Sequence, residues 1–159
     1  MSLEHLRAWL PWAMTPPEIL GDTQSIIEQS ASRFSEGSDF MYTIFSSGDS
    51  EVYGGAGIHP RAEPGCVELG YWIRADQTGK GYATEAVAAL TKHAFGISGV
   101  TRAQIDCDPR NTRSIRVPIK LGFRRVELLR ANKVTPTGEP RDTIVFELSE
   151  SERLAEHSV

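Results

Sequence analysis

Three short apolar runs follow one another too closely for anything but antiparallel pairing between them. They occupy residues 40–45, 51–58 and 66–73. The segments between them, ending in the turn-like residues 46–49 and 61–65, are too short for the dozen or more residues that a crossover helix needs. The first part of the sheet is therefore predicted to be built from hairpins, which excludes a purely parallel sheet.

Helical and strand-like patterns surround these hairpins. Apolar residues recur at helical spacing in four segments, which we predict as helices: residues 3–10, 22–36, 82–96 and 111–121. Three further runs are predicted as strands: residues 102–107, 126–129 and 143–148. In the second helix Asp22 is the expected N-cap, and the expected apolar stripe consists of Ile26, Ile27, Ala31 and Phe34. The order of elements predicts a mixed α+β fold.

The composition is that of one ordered domain. A chain of 159 residues with 24% charged residues suits a single folded unit. We place that unit at residues 1–148 and expect residues 149–159 to form a flexible tail. The chain has 17 Lys and Arg against 21 Asp and Glu, a net charge of −4, which argues against a sequence-independent nucleic-acid binder.

Neither a membrane nor an oxidising compartment is indicated. No apolar run approaches the roughly 18 residues of a membrane span, and the N-terminus lacks the pattern of a secretory signal. The two cysteines, Cys66 and Cys107, lie in no Cys-x-x-Cys pair and cannot form a disulfide framework. A reducing cytoplasm is therefore the expected location.

A glycine-containing loop joins the third strand to the following helix. Gly79 and Gly81 lie directly before the predicted helix. The first four N–H groups of a helix have no partners within the helix, its dipole is positive at that end, and glycines let backbone amides approach an anion. The segment thus suits a phosphate or pyrophosphate, although a Gly-x-Gly pair also occurs in ordinary turns.

Two nucleotide-binding motifs can be compared with this loop. A dinucleotide site requires a third glycine, where this chain has Thr84, although Asp106 and Asp108 lie where a ribose-binding acid would be expected. The preceding hairpins also argue against that site, because it belongs to a βαβ unit. The motif of a P-loop is absent.

Three segments together carry a family resemblance. They are ELGYWI at residues 68–73, GKGYATEA at residues 79–86 and NTRSIRVPIKLGF at residues 111–123. Over residues 9–148 the chain resembles the GNAT acetyltransferases, most closely the RimJ/RimL-like branch. The resemblance implies the α+β, GNAT-like acyl-CoA N-acyltransferase fold: a mostly antiparallel twisted sheet, splayed at its central strand pair, with helices on both faces.

The resemblance also implies acetyl-CoA as co-substrate, and no metal. Backbone amides of the glycine loop would take the pyrophosphate, the splayed strands would enclose pantetheine, and Asn111 would hydrogen-bond the pantetheine arm. The residues thereby expected to bind the cofactor are Trp72, Ile73, Thr78, Gly79, Lys80, Gly81, Tyr82, Ala83, Thr84, Asn111 and Ser114.

Three positions depart from the family pattern. Thr78 stands where the family has Gln or Arg, and Pro118 interrupts the later helix, where it should remove a backbone donor. The family usually begins with an edge strand, whereas this chain begins in the helical region. We therefore expect an N-terminal edge strand to be missing and one sheet edge to be unpaired.

The reaction that the resemblance implies is direct attack of an amine on the thioester. The amine must lose a proton before it attacks, so a base is needed. Glu68 is the first candidate and His59 the second, because the pKa of an imidazole suits proton transfer. A salt-bridged Glu68 and a loop histidine without a role are the alternatives. Ser114 would lie near the sulfur and protonate the departing thiolate, or be an ordinary helix serine.

Acceptor binding is expected at one end of the same site. Trp9 and Trp12 would wall it, Asp106 would bind an ammonium group, and Cys107 would be a small packed residue. The acceptor would be a protein N-terminus or a small-molecule amine, and many relatives in the family form homodimers. A non-catalytic acyl-CoA-binding module is the alternative function, and a fragment of a dinucleotide-binding oxidoreductase is a more remote one.

Overall fold

Six strands form one sheet in the order β1-β2-β3-β4-β6-β5. The computed structural model describes residues 2–14, 23–48 and 50–156, to which all structural statements refer. The strands are β1 (Phe40–Phe45), β2 (Val52–Pro60), β3 (Cys66–Ile73), β4 (Arg102–Cys107), β5 (Arg124–Val134) and β6 (Pro140–Ser149). The helices are α1 (Ser2–Arg7), α2 (Thr23–Glu36), α3 (Tyr82–Ala94), α4 (Thr112–Lys120) and α5 (Glu150–Glu156), with short 3-10 helices at Pro11–Met14 and Ala75–Gln77.

The centre of the sheet opens between β3 and β4. Every other neighbouring pair of strands is antiparallel, whereas β3 and β4 are parallel. Their pairing runs only from Cys66–Arg102 to Glu68–Gln104, although β3 continues to Ile73. The predicted α+β fold with a splayed central pair is therefore confirmed.

One face of the sheet carries the hydrophobic core. Alternation along β3 directs Leu69 and Tyr71 to this face, where α3 contributes Val87, Leu90 and Ala94. The opposite face is lined by small residues and Trp72, against which Trp12 packs edge-to-face at a centroid distance of 5.7 Å. Helical segments thus meet both faces of the sheet.

Strand boundaries agree best with the sequence in the first half. Strands β1, β3 and β4 span the predicted residues, whereas β5 and β6 extend into the segment predicted as a polar loop. This difference arises because charged side chains on an outer strand remain exposed without breaking the ladder. Pro140 is tolerated as the first residue of β6, where a missing donor matters little.

One expectation for the helices differs from the structure, and a second is not tested by it. The stripe on α2 is exposed: Ile26, Ile27 and Phe34 are 47%, 62% and 40% accessible, and only Phe34 is seen against aromatic rings of β1. The expected N-cap Asp22 lies outside the described residues.

The expected tail also has structure. Ser149 belongs to β6, and residues 150–156 form α5, where Glu152 accepts hydrogen bonds from Ser149 and Arg124. The domain limit at residue 148 stays a prediction. None of the described helices is long and apolar enough to span a bilayer.

Candidate active site

A cleft of about 1090 Å³ opens where β3 and β4 diverge. Its walls come from five places: the diverging strands, the loop before α3, the start of α4, the β5–β6 hairpin and the end of α1. Of the predicted site residues, those that line it are Trp9, Glu68, Trp72, Ile73, Thr78, Gly79, Gly81, Tyr82, Ala83, Thr84, Asp106, Asn111 and Ser114. His59, Lys80 and Trp12 are not part of this lining.

The glycine loop presents the bare N-terminus of α3 to the cleft. Gly79 and Gly81 adopt left-handed backbone angles, with φ of +79° and +93°, which side chains rarely tolerate. Gly81 is the N-cap and supplies no capping side chain. The Nζ of Lys80 donates to Gln77 Oε1 over 2.7 Å instead of facing the cleft. An anion at this end would therefore meet backbone amides and the helix dipole.

Asn111 has a structural role at the start of α4. Its Oδ1 accepts a hydrogen bond from the Ser114 N–H at 3.1 Å and so caps the helix. The side chain that sequence reasoning assigned to the cofactor therefore also fixes the direction in which α4 enters the cleft.

Two side chains lie beside the predicted acid, Ser114. The Ser114 hydroxyl lies 2.9 Å from the Tyr71 hydroxyl and 3.5 Å from Cys107 Sγ. Burial raises the pKa of Cys107 to about 11 and that of Tyr71 well above its ordinary value. Both groups therefore remain protonated at neutral pH, and Tyr71 is a hydrogen-bond donor beside Ser114.

Pro118 explains why Tyr71 reaches this position. In an α-helix the N–H of residue 118 would donate to the carbonyl of Ser114, but proline has no N–H. The Tyr71 hydroxyl donates to that carbonyl instead, at 3.0 Å. Pro118, which departs from the family pattern, thus leaves the Ser114 carbonyl without its helical donor. Tyr71 on β3 supplies the hydrogen bond in its place.

Charged side chains meet beside the same gap on the other face of the sheet. Asp106 is almost fully buried, with Oδ2 2.8 Å from Arg61 Nη2 and 2.7 Å from Lys133 Nζ. Burial raises the pKa of Asp106, but the hydrogen bonds from Lys133 and Arg61 outweigh it and hold the pKa below its ordinary value. Arg61 also pairs with Glu68 at 3.2 Å. One oxygen of Asp106 is therefore already neutralised, and Glu68 is half-buried in an ion pair.

His59 takes part in a different arrangement. Its Nδ1 lies 2.6 Å from Asp39 Oδ1. Its ring lies over Gly57 and Gly70, on the face of the sheet opposite the hydrophobic core. Trp12 touches the cleft only through Trp72. The structure therefore does not bring His59 and Trp12 to the cleft with the other candidates.

Residues that sequence reasoning missed include Tyr71, Lys133 and Arg141 of the cleft lining and Arg61 beside it. Tyr71 lies in the motif of β3 but alternates with apolar residues, so the pattern assigned it to the core. The other three are isolated basic residues in segments predicted as turn or loop, and no spacing signals their convergence.

Comparison with known proteins gives consistent matches. Residues 1–124 match the model of the acetyltransferase (GNAT) domain family. The chain is 30% identical over 118 residues to "Uncharacterized N-acetyltransferase p20" of Bacillus licheniformis, an alignment that covers 74% of this chain and 66% of that protein. It is 26% identical over 122 residues to the ribosomal-protein-serine acetyltransferase of Escherichia coli, covering 74% of this chain and 66% of that protein. The chain thus spans about two thirds of the length of these relatives.

A solved structure shares the fold over almost the whole chain. RimJ of Mycobacterium smegmatis, in complex with CoA-disulfide, superposes with a TM-score of 0.81. It is 25% identical, and the match covers 94% of this chain and 72% of that one. The fold of this chain is therefore shared with an acyltransferase rather than with a dinucleotide-binding protein.

Proposed function

Given that this chain belongs to the GNAT acetyltransferase family, we propose that it transfers the acetyl group of acetyl-CoA to a primary amine. The observation that carries the proposal is the cleft itself. It joins three features: a gap between two strands, an uncapped helix N-terminus, and a carboxylate within reach of the gap. An extended anionic cofactor with a reactive thioester requires this combination.

Acetyl-CoA is proposed to lie along the gap. Its pyrophosphate would meet the amides of the loop from Thr78 to Thr84, where Gly81 leaves open space. Pantetheine would pair with the edge of β3 that β4 leaves free, near Trp72 and Ile73. The Nδ2 of Asn111 remains to contact the pantetheine arm, since its Oδ1 caps α4.

The chemistry follows from groups that line the cleft. Glu68 would accept a proton from the acceptor ammonium, directly or through a water, and the neutral nitrogen would attack the thioester carbon. A backbone N–H near Ile73 would donate to the developing oxyanion. As the carbon–sulfur bond breaks, Ser114 would give its proton to the thiolate. The new amide nitrogen would lose its second proton through water to the Ser114 oxygen, which restores the hydroxyl.

Glu68 is favoured over His59 because it faces the cleft. His59 is held by Asp39 outside the lining, so its role in proton transfer stays an unsupported prediction.

We further propose a cytoplasmic location, which suits the two free, buried cysteines. The family resemblance also predicts a homodimer, and light scattering tests that prediction.

The experiment is an amine panel with detection of acetylated products by mass. The wild-type chain should acetylate at least one primary amine when acetyl-CoA is supplied. Glu68→Gln should lower kcat by about 100-fold, since a general base contributes roughly 10²–10⁴. Glu36→Gln, an exposed change on α2, is the matched control and should leave kcat unchanged.

Two results would contradict this account. An unaltered kcat in Glu68→Gln would remove Glu68 from the mechanism. Binding of acetyl-CoA without acetylation of any amine would favour the non-catalytic module instead.

A further inference from the structure

Two basic side chains lie directly opposite each other at the acceptor end of the cleft. Lys133 on β5 pairs in register with Arg141 on β6, and both line the cleft. Like charges at directly opposed positions of a sheet repel each other. The arrangement is therefore unfavourable unless anionic groups lie nearby or bind there.

An irregularity in β5 creates this pairing. The register passes from Leu129–Thr143 to Lys133–Arg141, so β5 contains two more residues than β6 over this interval. Ala131 within it has a φ of +45°, which is unusual for a residue with a side chain. Bulges of this kind redirect side chains, and here the result is that Lys133 enters the cleft.

Asp142 holds the irregularity in place. Its Oδ1 accepts the N–H of Ala131 at 2.9 Å, and its Oδ2 pairs with Arg130 at 2.6 Å. Asp142 therefore holds the backbone just before Lys133, and the fold directs the Lys133 side chain toward the cleft.

Most of the charges around this end of the cleft are already paired. Arg61 and Lys133 both pair with Asp106, Arg61 also pairs with Glu68, and Glu139 lies close enough to Arg110 to act on its charge. Asp108 is occupied by Arg110, which donates to both of its oxygens. Asp108 thus does little for Arg141, whose Nε lies 4.0 Å from it. Arg141 is therefore the cation of this group with the weakest carboxylate partner.

Two buried polar atoms among the described residues of the cleft have no hydrogen-bond partner. One is a donor on a cationic side chain, and the other is an acceptor on an anionic one. Arg141 Nε is an unused donor, although its Nη1 donates to the Trp9 carbonyl at 3.2 Å. Asp106 Oδ1 is an unused acceptor. Buried polar groups are normally paired, so a donor and an acceptor left open in one cleft indicate a ligand that supplies both.

We propose that the acceptor carries a carboxylate close to its amine, with the carboxylate bound by Lys133 and Arg141 and the ammonium group met by Asp106 Oδ1. This inference rests on the proposed function and narrows its substrate class from primary amines to anionic or zwitterionic ones. A free amino acid and an acidic N-terminal peptide present the same chemistry, and the test separates them.

The test compares acceptors that differ only by a carboxylate. The small pair is glutamate against glutamine, and the peptide pair is Ala-Glu-Ala-amide against Ala-Gln-Ala-amide, with spermidine as a cationic acceptor. We expect kcat/KM for the acidic member of at least one pair to exceed that of its amide by tenfold or more. The pair that shows the preference identifies the source of the carboxylate.

Variants of Lys133 and Arg141 test whether these two residues cause the preference for a carboxylate. Lys133→Gln should reduce the acid-to-amide ratio at least fivefold, whereas Lys133→Arg should retain it, because a guanidinium also binds a carboxylate. Lys92→Gln, an exposed change on α3, is the matched control and should leave the ratio unaltered. Arg141→Lys should lower the ratio with an unchanged melting temperature.

The outcomes separate this inference from the proposed function. Acetylation that shows no carboxylate preference, or that favours spermidine, overturns the inference and leaves the proposed function standing. A preference that survives in Lys133→Gln and Arg141→Lys also overturns it. Failure to acetylate any acceptor overturns the proposed function, and this inference with it.

Discussion

The hydroxyl of Tyr71 makes two contacts with one residue, and both depend on its burial. It donates to the Ser114 carbonyl and lies 2.9 Å from the Ser114 hydroxyl. Because burial raises the pKa of Tyr71, the proton stays on the phenol at neutral pH. Because this single proton is donated to the Ser114 carbonyl, the phenol oxygen accepts from the Ser114 hydroxyl and holds that hydroxyl in place. Tyr71 would then be a positioning residue for the proposed acid.

Tyr71→Phe tests this role. We expect kcat to fall by about 5–10-fold, which corresponds to a hydrogen bond worth roughly 1 kcal/mol, with little change in the KM for acetyl-CoA. Steady-state kinetics at saturating acceptor provide the measurement. Tyr42→Phe removes a phenol from the same face of the sheet outside the cleft and should leave kcat unaltered. Equal kcat values for Tyr71→Phe and the wild-type chain would make Tyr71 purely structural.

Individual residues were predictable where their motif determined the local backbone. Gly79 and Gly81 have the left-handed angles that a glycine loop before a helix suggests. Asp106 was placed correctly at the end of β4, but the sequence could not show that Arg61 and Lys133, 45 and 27 residues away, would occupy one of its oxygens. Such convergence is determined by tertiary structure and leaves no periodic signal.

Helix α4 shows how one element adapts to a residue that should disrupt it. Pro118 is buried near the C-terminal end of the helix and removes the donor for the Ser114 carbonyl. A strand supplies the replacement through Tyr71. The proline therefore costs the helix one internal hydrogen bond and at the same time links α4 to β3 beside the cleft.

A double-mutant cycle measures that link. Pro118→Ala restores an N–H that competes with Tyr71 for the Ser114 carbonyl. We therefore expect Tyr71→Phe to destabilise the Pro118→Ala background by about 1 kcal/mol less than the wild-type chain. Urea unfolding of the four proteins gives the coupling free energy. Additive changes in the free energy of unfolding would show that the two residues act independently.

The β5–β6 hairpin was the element least accessible to sequence reasoning. Its polar residues, with Pro136, Gly138 and Pro140, are typical of a loop, and only the short apolar runs at each end suggest strands. The ladder nevertheless extends to Val134–Pro140, because backbone pairing does not require apolar side chains on an outer strand. Lys133 and Arg141 could not be assigned to the cleft without that register.

The molecule as a whole follows the order of elements in the sequence. Short connections predicted the hairpins on one side, and the family resemblance implied that the central strand pair is splayed. Helix α3 connects β3 to β4, and the two strands are parallel and only partly paired, which opens the cleft. The family resemblance supplied what physical reasoning alone did not, namely the expectation that this gap takes an acyl-CoA rather than a dinucleotide.

The most direct measurement is a thermal melt of the wild-type chain and two glycine variants with acetyl-CoA, NAD or no ligand. A ligand at 100 times its dissociation constant adds about 2.7 kcal/mol to the folded state. At roughly 2–4 °C per kcal/mol, the wild-type melting temperature should rise by about 5–11 °C with acetyl-CoA and not with NAD. Gly81→Glu should lose this rise, because it places a negative charge at the start of α3.

Gly99→Glu is the matched control for backbone strain. Gly99 has a similar left-handed φ of +84°, with the same open space around it, and lies outside the cleft. It should keep the full rise with acetyl-CoA even if its own melting temperature is lower. No rise in the wild-type chain, or an equal rise in Gly81→Glu, would contradict the assignment of this cleft to acetyl-CoA.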